Sequence, residues 1–267
     1  MIDSNMQDSI AATACCNVCG SDASHLLVEK DGHQVLCCTE CGLAFTHPQP
    51  QALDQQYDSS YFHLYRRRRH FRLKRSDERL KRIELLITPG KLLDIGCSLG
   101  YFVEAANRRG WRASGIEISP AASEEAAALG LDVQCGAIED ARFADESFDC
   151  VTMWDVLEHV PDPTRHMSEV NRILSPGGVV AIGTPDLGHI AFKIQRERWR
   201  HLKPSEHIFY FNKECLSRLL DKTGFDFVIP PVLGGRSFAG SLAAALKCNL
   251  ARLVRVNDVL TVYCVKR

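Results

Sequence analysis

The sequence predicts an α/β protein, a mostly parallel sheet with helices on its faces, preceded by a small cysteine-rich domain. Three observations lead there. From residue 90 onward, short β-type runs alternate with helical stretches of about ten residues, the pattern of successive strand–helix–strand units with right-handed crossovers. Six of the 12 cysteines fall at positions 15–41, and four of them form two pairs, each with two residues between its members. And 267 residues at 45% hydrophobic and 24% charged carry enough apolar material for one sizeable core with a satellite.

The same numbers exclude a disordered chain, a collagen-like chain and a small disulfide-stapled secreted domain. No apolar run reaches the roughly 18 residues of a membrane span. The opening MIDSNMQDSIAATACC lacks the basic flank and apolar core of a secretory signal, so a reducing, cytoplasmic compartment is expected. A net charge of -1 argues against a surface built wholly for nucleic acid.

The first element is Cys16-x-x-Cys19 followed by Cys38-x-x-Cys41. A two-residue gap lets both thiolates of a pair turn toward one tetrahedral ion at about 2.3 Å, so the spacing points to a four-cysteine zinc site. A redox pair and unligated thiols are the alternatives, and Cys15 and Cys37 each stand beside a proposed ligand as substitutes. Gly20 and Gly42 follow the second cysteine of each pair, where a tight turn favours positive φ. Between the pairs, Asp31-Gly32 separates two short β-type runs as a hairpin turn would. This is the layout of a zinc ribbon over residues 13–48. A closed set of four thiolates leaves no position for water, so the ion's role is structural, contributing on the order of 10 kcal/mol to folding so small a unit. The cysteines scattered through the rest of the chain read as small buried hydrophobes.

Residues 49–88 form a connector. It contains RRRRHFRLKR (66–75), and Leu73, Leu80, Ile83 and Ile87 continue at near-helical spacing, so an amphipathic helix with a solvated basic face is expected. Contact with RNA or acidic lipid, and steering of an anionic substrate, are the other readings of that basic run.

Residues 89–267 hold the alternating core. Strands are expected at 91–95, 113–118, 131–135, 148–153 and 179–184, with helices between them. Ligands in such sheets bind at the carboxyl ends of the strands, where strand order reverses. The first of these turns, Asp94-Ile95-Gly96-Cys97-Ser98-Leu99-Gly100, fails as a dinucleotide fingerprint because Ser98 and Tyr101 occupy its second and third glycine positions. It matches a hydrolase elbow, G-x-S-x-G, with Ser98 as nucleophile and Asp186 and His207 as formal partners.

A third reading accounts for more residues. LLDIGCSLGYF resembles the first motif of the class I S-adenosylmethionine-dependent methyltransferases. GAIEDARFADESFDCVTMWDVLEHVPDP, LSPGGVVAIGTPD and RERWRHLKPSEHIFYFNKECLSRLLDKTGF resemble later segments of the subgroup that modifies small molecules and sugars. CCTECGLAFTHPQP is similar to the zinc-ribbon start found on some of its members. The resemblance implies a Rossmann-like α/β sheet with a small N-terminal zinc-ribbon domain, and S-adenosyl-L-methionine as cofactor beside the structural zinc. It places Asp94, Gly96, Cys97, Ser98 and Gly100 at the methionine part, and Glu117 with Ile118 at the ribose. Glu139 would stand near the adenine, replacing an acid absent at Ala137, and Trp154 and Asp155 would line the methionine or substrate side. Ser98 departs from the usual second glycine but is small.

Methyl transfer to a hydroxyl is helped by a base. His207 is the preferred candidate because it lies on the expected substrate loop before Phe209, Tyr210 and Phe211; His159 and His201 are the weaker ones. Trp199 is read as an apolar wall or as loop packing. The expected acceptor is a small molecule or sugar, nucleotide-linked or polysaccharide precursors included. Ribosomal RNA is the alternative acceptor, and a non-catalytic zinc module binding RNA or protein on a degenerate fold is the alternative of another class. Finally, FDFVIP and VLTVYCVKR are expected to complete the sheet as an antiparallel pair. The stretch 236–256 between them reads as an amphipathic helix for core packing, a homodimer surface or membrane contact.

Overall fold

The computed structural model describes residues 15–50, 62–230, 254–256 and 258–267. The cysteine-rich segment forms β1 (Ser24–Lys30), β2 (His33–Cys38) and β3 (Ala44–His47), an antiparallel meander. Asp31 and Gly32 both take positive φ, 50° and 77°, as the two-residue turn between right-twisted strands requires. Two helices follow, α1 (His63–Arg67) and α2 (Arg69–Ile83).

The core then runs β4 (Lys91–Ile95), α3 (Tyr101–Arg108), β5 (Arg112–Glu117), α4 (Pro120–Ala128), β6 (Val133–Cys135), β7 (Phe148–Trp154), α5 (Pro163–Ile173) and β8 (Leu174–Pro185). It closes with α6 (Ile190–Gln195), β9 (Phe209–Tyr210), α7 (Lys213–Lys222), β10 (Phe225–Val228), β11 (Val254–Val256) and β12 (Val259–Lys266). Local chemistry sets the helix starts. Ser119 and Asp162 accept the amides of Ala122 and Arg165, and a proline follows each of them at the first helical position.

The main sheet has the order β10-β12-β8-β7-β4-β5-β6, with β11 also paired to β12. Strands β4 to β8 are parallel, and β12 runs antiparallel to both β8 and β10. The chain leaves the central strand β4 toward β5 and β6, then returns to β7 on its other side. Strand order therefore reverses between β4 and β7, which puts the ligand crevice of an open α/β sheet at their carboxyl ends.

Strand alternation divides the core between the two faces. Leu92, Cys150, Ala181 and Tyr263 pack with Leu80 and Ile83 of α2 and Phe102 and Ala106 of α3. Leu93, Ile95, Val151, Met153 and Ile182 pack with α5 and α7 on the other face. The cysteine-rich segment joins this second cluster through Val18, Leu36, Leu43 and Phe45, so it has apolar support from the core.

Two expectations are revised and one is extended. The basic run is a largely solvated face, as expected, with Arg66, Arg67, Arg68, Arg69, Lys74 and Arg75 exposed, yet some of its arginines also have partners. Arg66 pairs with Glu125 of α4 at 2.6 Å, Arg69 with Glu104 of α3 at 2.5 Å, and Arg72 lies 3.3 Å over the Tyr65 ring. Arg66 and Arg69 thus link α1 and α2 to α4 and α3 through exposed ion pairs, while Arg72 packs on α1 itself. The helix read at 236–256 falls outside the described residues except at 254–256, which form β11; pairing with β12 overrides the helical pattern there. Among the scattered cysteines, Cys97, Cys150, Cys215 and Cys264 are buried, but Cys135 is exposed at the end of the edge strand β6. Among the described residues, no helix is long and apolar enough to cross a membrane.

Candidate functional site

The turn after β4 is built by backbone geometry. Gly96 and Gly100 take φ of 66° and 74°, and a side chain at either would collide, with Val156 or with Leu131. Ser98 also adopts positive φ, 52°, and its amide donates to Glu117 Oε2 at 2.8 Å. The other oxygen of Glu117 accepts the Ser119 amide at 2.9 Å. One buried carboxylate at the end of β5 thus ties together the turns after β4 and β5, while burial pushes its pKa upward. Cys97 reaches this turn only through its backbone: its sulfur fills the space beside Gly115, which has no room for a Cβ.

Asp94, at the end of β4, is buried and accepts the Thr152 hydroxyl at 2.5 Å. Burial raises its pKa to about 7, against the pull of Thr152 and Arg79. Arg79 comes from α2, with its guanidinium 3.8 Å over the Trp154 ring at the end of β7. Burial, and then Arg75, lower Arg79 to about 9, while Asp155 and Asp94 favour its charge. Asp155 follows with φ 59°, a left-handed residue that turns the chain sharply after β7. Ser98 Oγ and Trp154 Nε1 are buried without a hydrogen-bond partner. Ser98 has no histidine to activate it, so the hydrolase reading falls away.

Beyond Asp155 the histidines converge. One ligand atom from each of Glu158, His159 and His207 lies within 4.8 Å of the others. Glu158 is buried, accepts the Thr184 hydroxyl at 2.8 Å, and is pushed up by burial and by the Asp155 carboxylate. His159 Nδ1 lies 2.8 Å from the Glu206 carbonyl. A carbonyl only accepts, so Nδ1 carries the hydrogen and the basic lone pair sits on Nε2. The His159 and His207 rings meet edge to face at 4.7 Å. Burial lowers both pKa values, that of His207 well below its ordinary 6.5, so both are neutral at pH 7. His207 Nδ1 is buried without a partner.

Other predicted residues stand apart from this convergence. His201 sits 3.4 Å from Asp258, and burial lowers its pKa. Asp258 also accepts Trp199 Nε1 at 2.9 Å and pairs with Arg200, so Trp199 is a fully buried loop anchor and not a wall. Glu139 is bound to His166 of α5 at 2.8 Å. Ile118 is 48% exposed beside the Glu117 turn.

Arg79 and Glu158 were not singled out from sequence. Arg79 carried a signal, since it lies three residues after Ser76 and four before Ile83, on the buried side of α2. Glu158 carried none beyond its place next to His159.

Toward the chain's beginning, Cys16 and Cys41 sulfurs lie 3.5 Å apart, as do those of Cys19 and Cys38. All four lie within 4.8 Å of one another. An ideal tetrahedron with 2.3 Å metal–sulfur bonds has edges of about 3.8 Å, so the donor set fits zinc. Amides of Val18 and Cys19 donate to the Cys16 sulfur, and those of Glu40 and Cys41 to Cys38. Cys15 is exposed, and Cys37 lies on the opposite strand face from Cys38. Metal analysis of protein purified without chelator should therefore find about one zinc per chain in the wild type, Cys15→Ser and Cys37→Ser, and a large loss in Cys38→Ser. Full zinc in Cys38→Ser would refute this ligand set.

A methyltransferase-domain family model matches residues 61–229. The ubiquinone biosynthesis O-methyltransferase of Alkalilimnicola ehrlichii is 38% identical over 101 residues, covering 35% of this chain and 41% of that protein. Its counterpart in Coxiella burnetii is 35% identical over 114 residues, 40% and 49% of the two chains. The chain thus spans under half the length of these relatives. In fold it is similar to a SAM-dependent methyltransferase from Archaeoglobus fulgidus, with TM-score 0.54, 19% identity and coverage of 76% and 100%. It is likewise similar to a SAM-dependent methyltransferase, possible histamine N-methyltransferase, from Thermotoga maritima, with TM-score 0.52, 21% identity and coverage of 78% and 97%.

Proposed function

Because the chain belongs to the methyltransferase-domain family, we propose that it methylates a hydroxyl of a small molecule, sugars and phenols included, with S-adenosylmethionine as donor. One observation carries this reading. The neutral pair His159 and His207, with Glu158, stands next to Asp155 at the strand ends where the crevice opens. The names of the curated relatives, O-methyltransferases, support oxygen as the acceptor atom.

The residues present fit the cofactor. Ser98 Oγ, in the turn after β4, and Trp154 Nε1, at the end of β7, are buried polar atoms without protein partners, and each could be satisfied by a polar ligand at these strand ends. When bound, the cofactor supplies an electrophilic sulfonium methyl group. Glu117, whose oxygens accept the Ser98 and Ser119 amides, would offer its remaining lone pairs to the ribose hydroxyls. Asp94 and the Gly96–Gly100 turn would receive the methionine part, and Arg79 supplies a largely desolvated cation for its carboxylate. Trp154, held under Arg79, walls that side. His207 takes the acceptor's proton; a buried imidazole is uncharged and ready to do so at neutral pH. The zinc would serve the ribbon structurally, since four thiolates close its coordination.

Calorimetry with S-adenosylmethionine tests the premise, and no binding to zinc-loaded protein would overturn it. Transfer of labelled methyl is then followed into nucleotide-sugar, small-phenol and RNA pools. Label in either small-molecule pool is the expected result. Label confined to RNA, with affinity falling steeply as salt rises, would overturn the acceptor class.

A further inference from the structure

The cysteine-rich segment does more than precede the core. Its third strand pairs antiparallel with β9, Phe45 opposite Phe209 and Ala44 opposite Tyr210, so one sheet contains both the ribbon and the segment that carries His207. At the junction Thr46 makes two hydrogen bonds to the backbone of that segment. Its amide donates to the Ile208 carbonyl at 2.9 Å, and its hydroxyl donates to the His207 carbonyl at 2.7 Å. Thr46 is 0% exposed and His207 5%, so water does not substitute for either bond. From the opposite side the Glu158 carbonyl accepts the amides of Ile208 and Phe209 at 2.8 and 3.0 Å. The backbone at 207–209 is therefore clamped between the ribbon and the turn that bears His159. A second hold lies upstream, where Lys30 Nζ donates to the Leu202 carbonyl at 2.6 Å. Val28, Val35 and Ala44 of the ribbon share one apolar cluster with Trp199, Leu202 and Tyr210.

We propose that the ribbon is part of the acceptor side of the site and that Thr46 is its positioning residue, fixing the His207 backbone so that the imidazole meets the acceptor hydroxyl. The inference rests on His207 being the base. A general base acts only within hydrogen-bond reach of its proton, and a displacement of about 1 Å can cost on the order of 100-fold in rate. Thr46 touches no reacting atom; it acts through the carbonyl of the residue that does.

The test is a cycle of Thr46 and His207 variants in the zinc-loaded full chain, read as kcat, acceptor KM and cofactor affinity. Thr46→Val keeps the β-branched shape and the amide but removes the hydroxyl. It is expected to lower kcat about 10- to 100-fold with little change in cofactor affinity. Thr46→Ser restores the hydroxyl and should recover most of kcat. In a His207→Ala background, Thr46→Val should lower kcat no further, because the group it positions is gone. Zinc content and melting temperature, measured on every variant, separate misfolding from misplacement. Wild-type kcat in Thr46→Val, or a full additional loss in the His207→Ala background, would overturn the positioning role. Full activity in His207→Ala alone would instead overturn the base assignment.

Discussion

His207→Ala should lower kcat by about 100- to 1,000-fold while S-adenosylmethionine still binds, the loss expected when a positioned base is removed. Two features make the effect large. The imidazole is buried, so water does not easily take its place, and burial keeps it unprotonated. Its partner across the edge-to-face contact, His159, is tied by Nδ1 to the Glu206 carbonyl and does not substitute without moving. The pH profile adds an independent reading. A base works in its neutral form, and burial places the folded-state pKa of both histidines below 6.5. Their contribution is therefore complete at pH 7 and is lost only as pH falls through that lower value. kcat/KM should stay level from neutral pH down to about 6.5 and decline in more acid solution. An acid limb centred above 7, or full turnover in His207→Ala with intact folding, would refute the assignment.

The second large effect concerns Glu117. Glu117→Ala removes the acceptor of the Ser98 and Ser119 amides together with the proposed ribose contacts, so affinity for the cofactor should fall about 100-fold, ~3 kcal/mol. Glu117→Gln separates the parts. Its amide keeps the volume but offers one acceptor oxygen where the carboxylate offers two. One backbone amide then faces an N–H group, and affinity should again drop, with less loss of stability than in Glu117→Ala. Calorimetry alongside thermal unfolding distinguishes the two. Unchanged affinity in Glu117→Ala would exclude a ribose role, whatever happens to the melting temperature.

Much of the fold was legible because its signals are local. Strand and helix periods, the Asp31-Gly32 turn, the prolines after Ser119 and Asp162, and the glycines at 96 and 100 each report a requirement of their own backbone. The antiparallel pair at the end of the chain was also readable, as β10 and β12. The basic run shows the limit. Its composition says cationic, but whether a cation faces solvent or an acid depends on Glu104 and Glu125, more than 30 residues away. Glu139 is a similar case, since its neighbour His166 belongs to another element.

By itself, then, the sequence determined the class of sheet, the cysteine spacing and the turn at the end of its first strand, since each is a short-range pattern enforced by sterics or coordination. Only the tertiary structure decided which cysteines converge and that Glu117 holds the turn after β4. It alone brought Arg79 over Trp154, joined the ribbon to β9, and set His207 against His159 across 47 intervening positions. Those are contacts between segments distant along the chain. They are selected by packing density and by the need to pair buried polar groups, neither of which a one-dimensional pattern records.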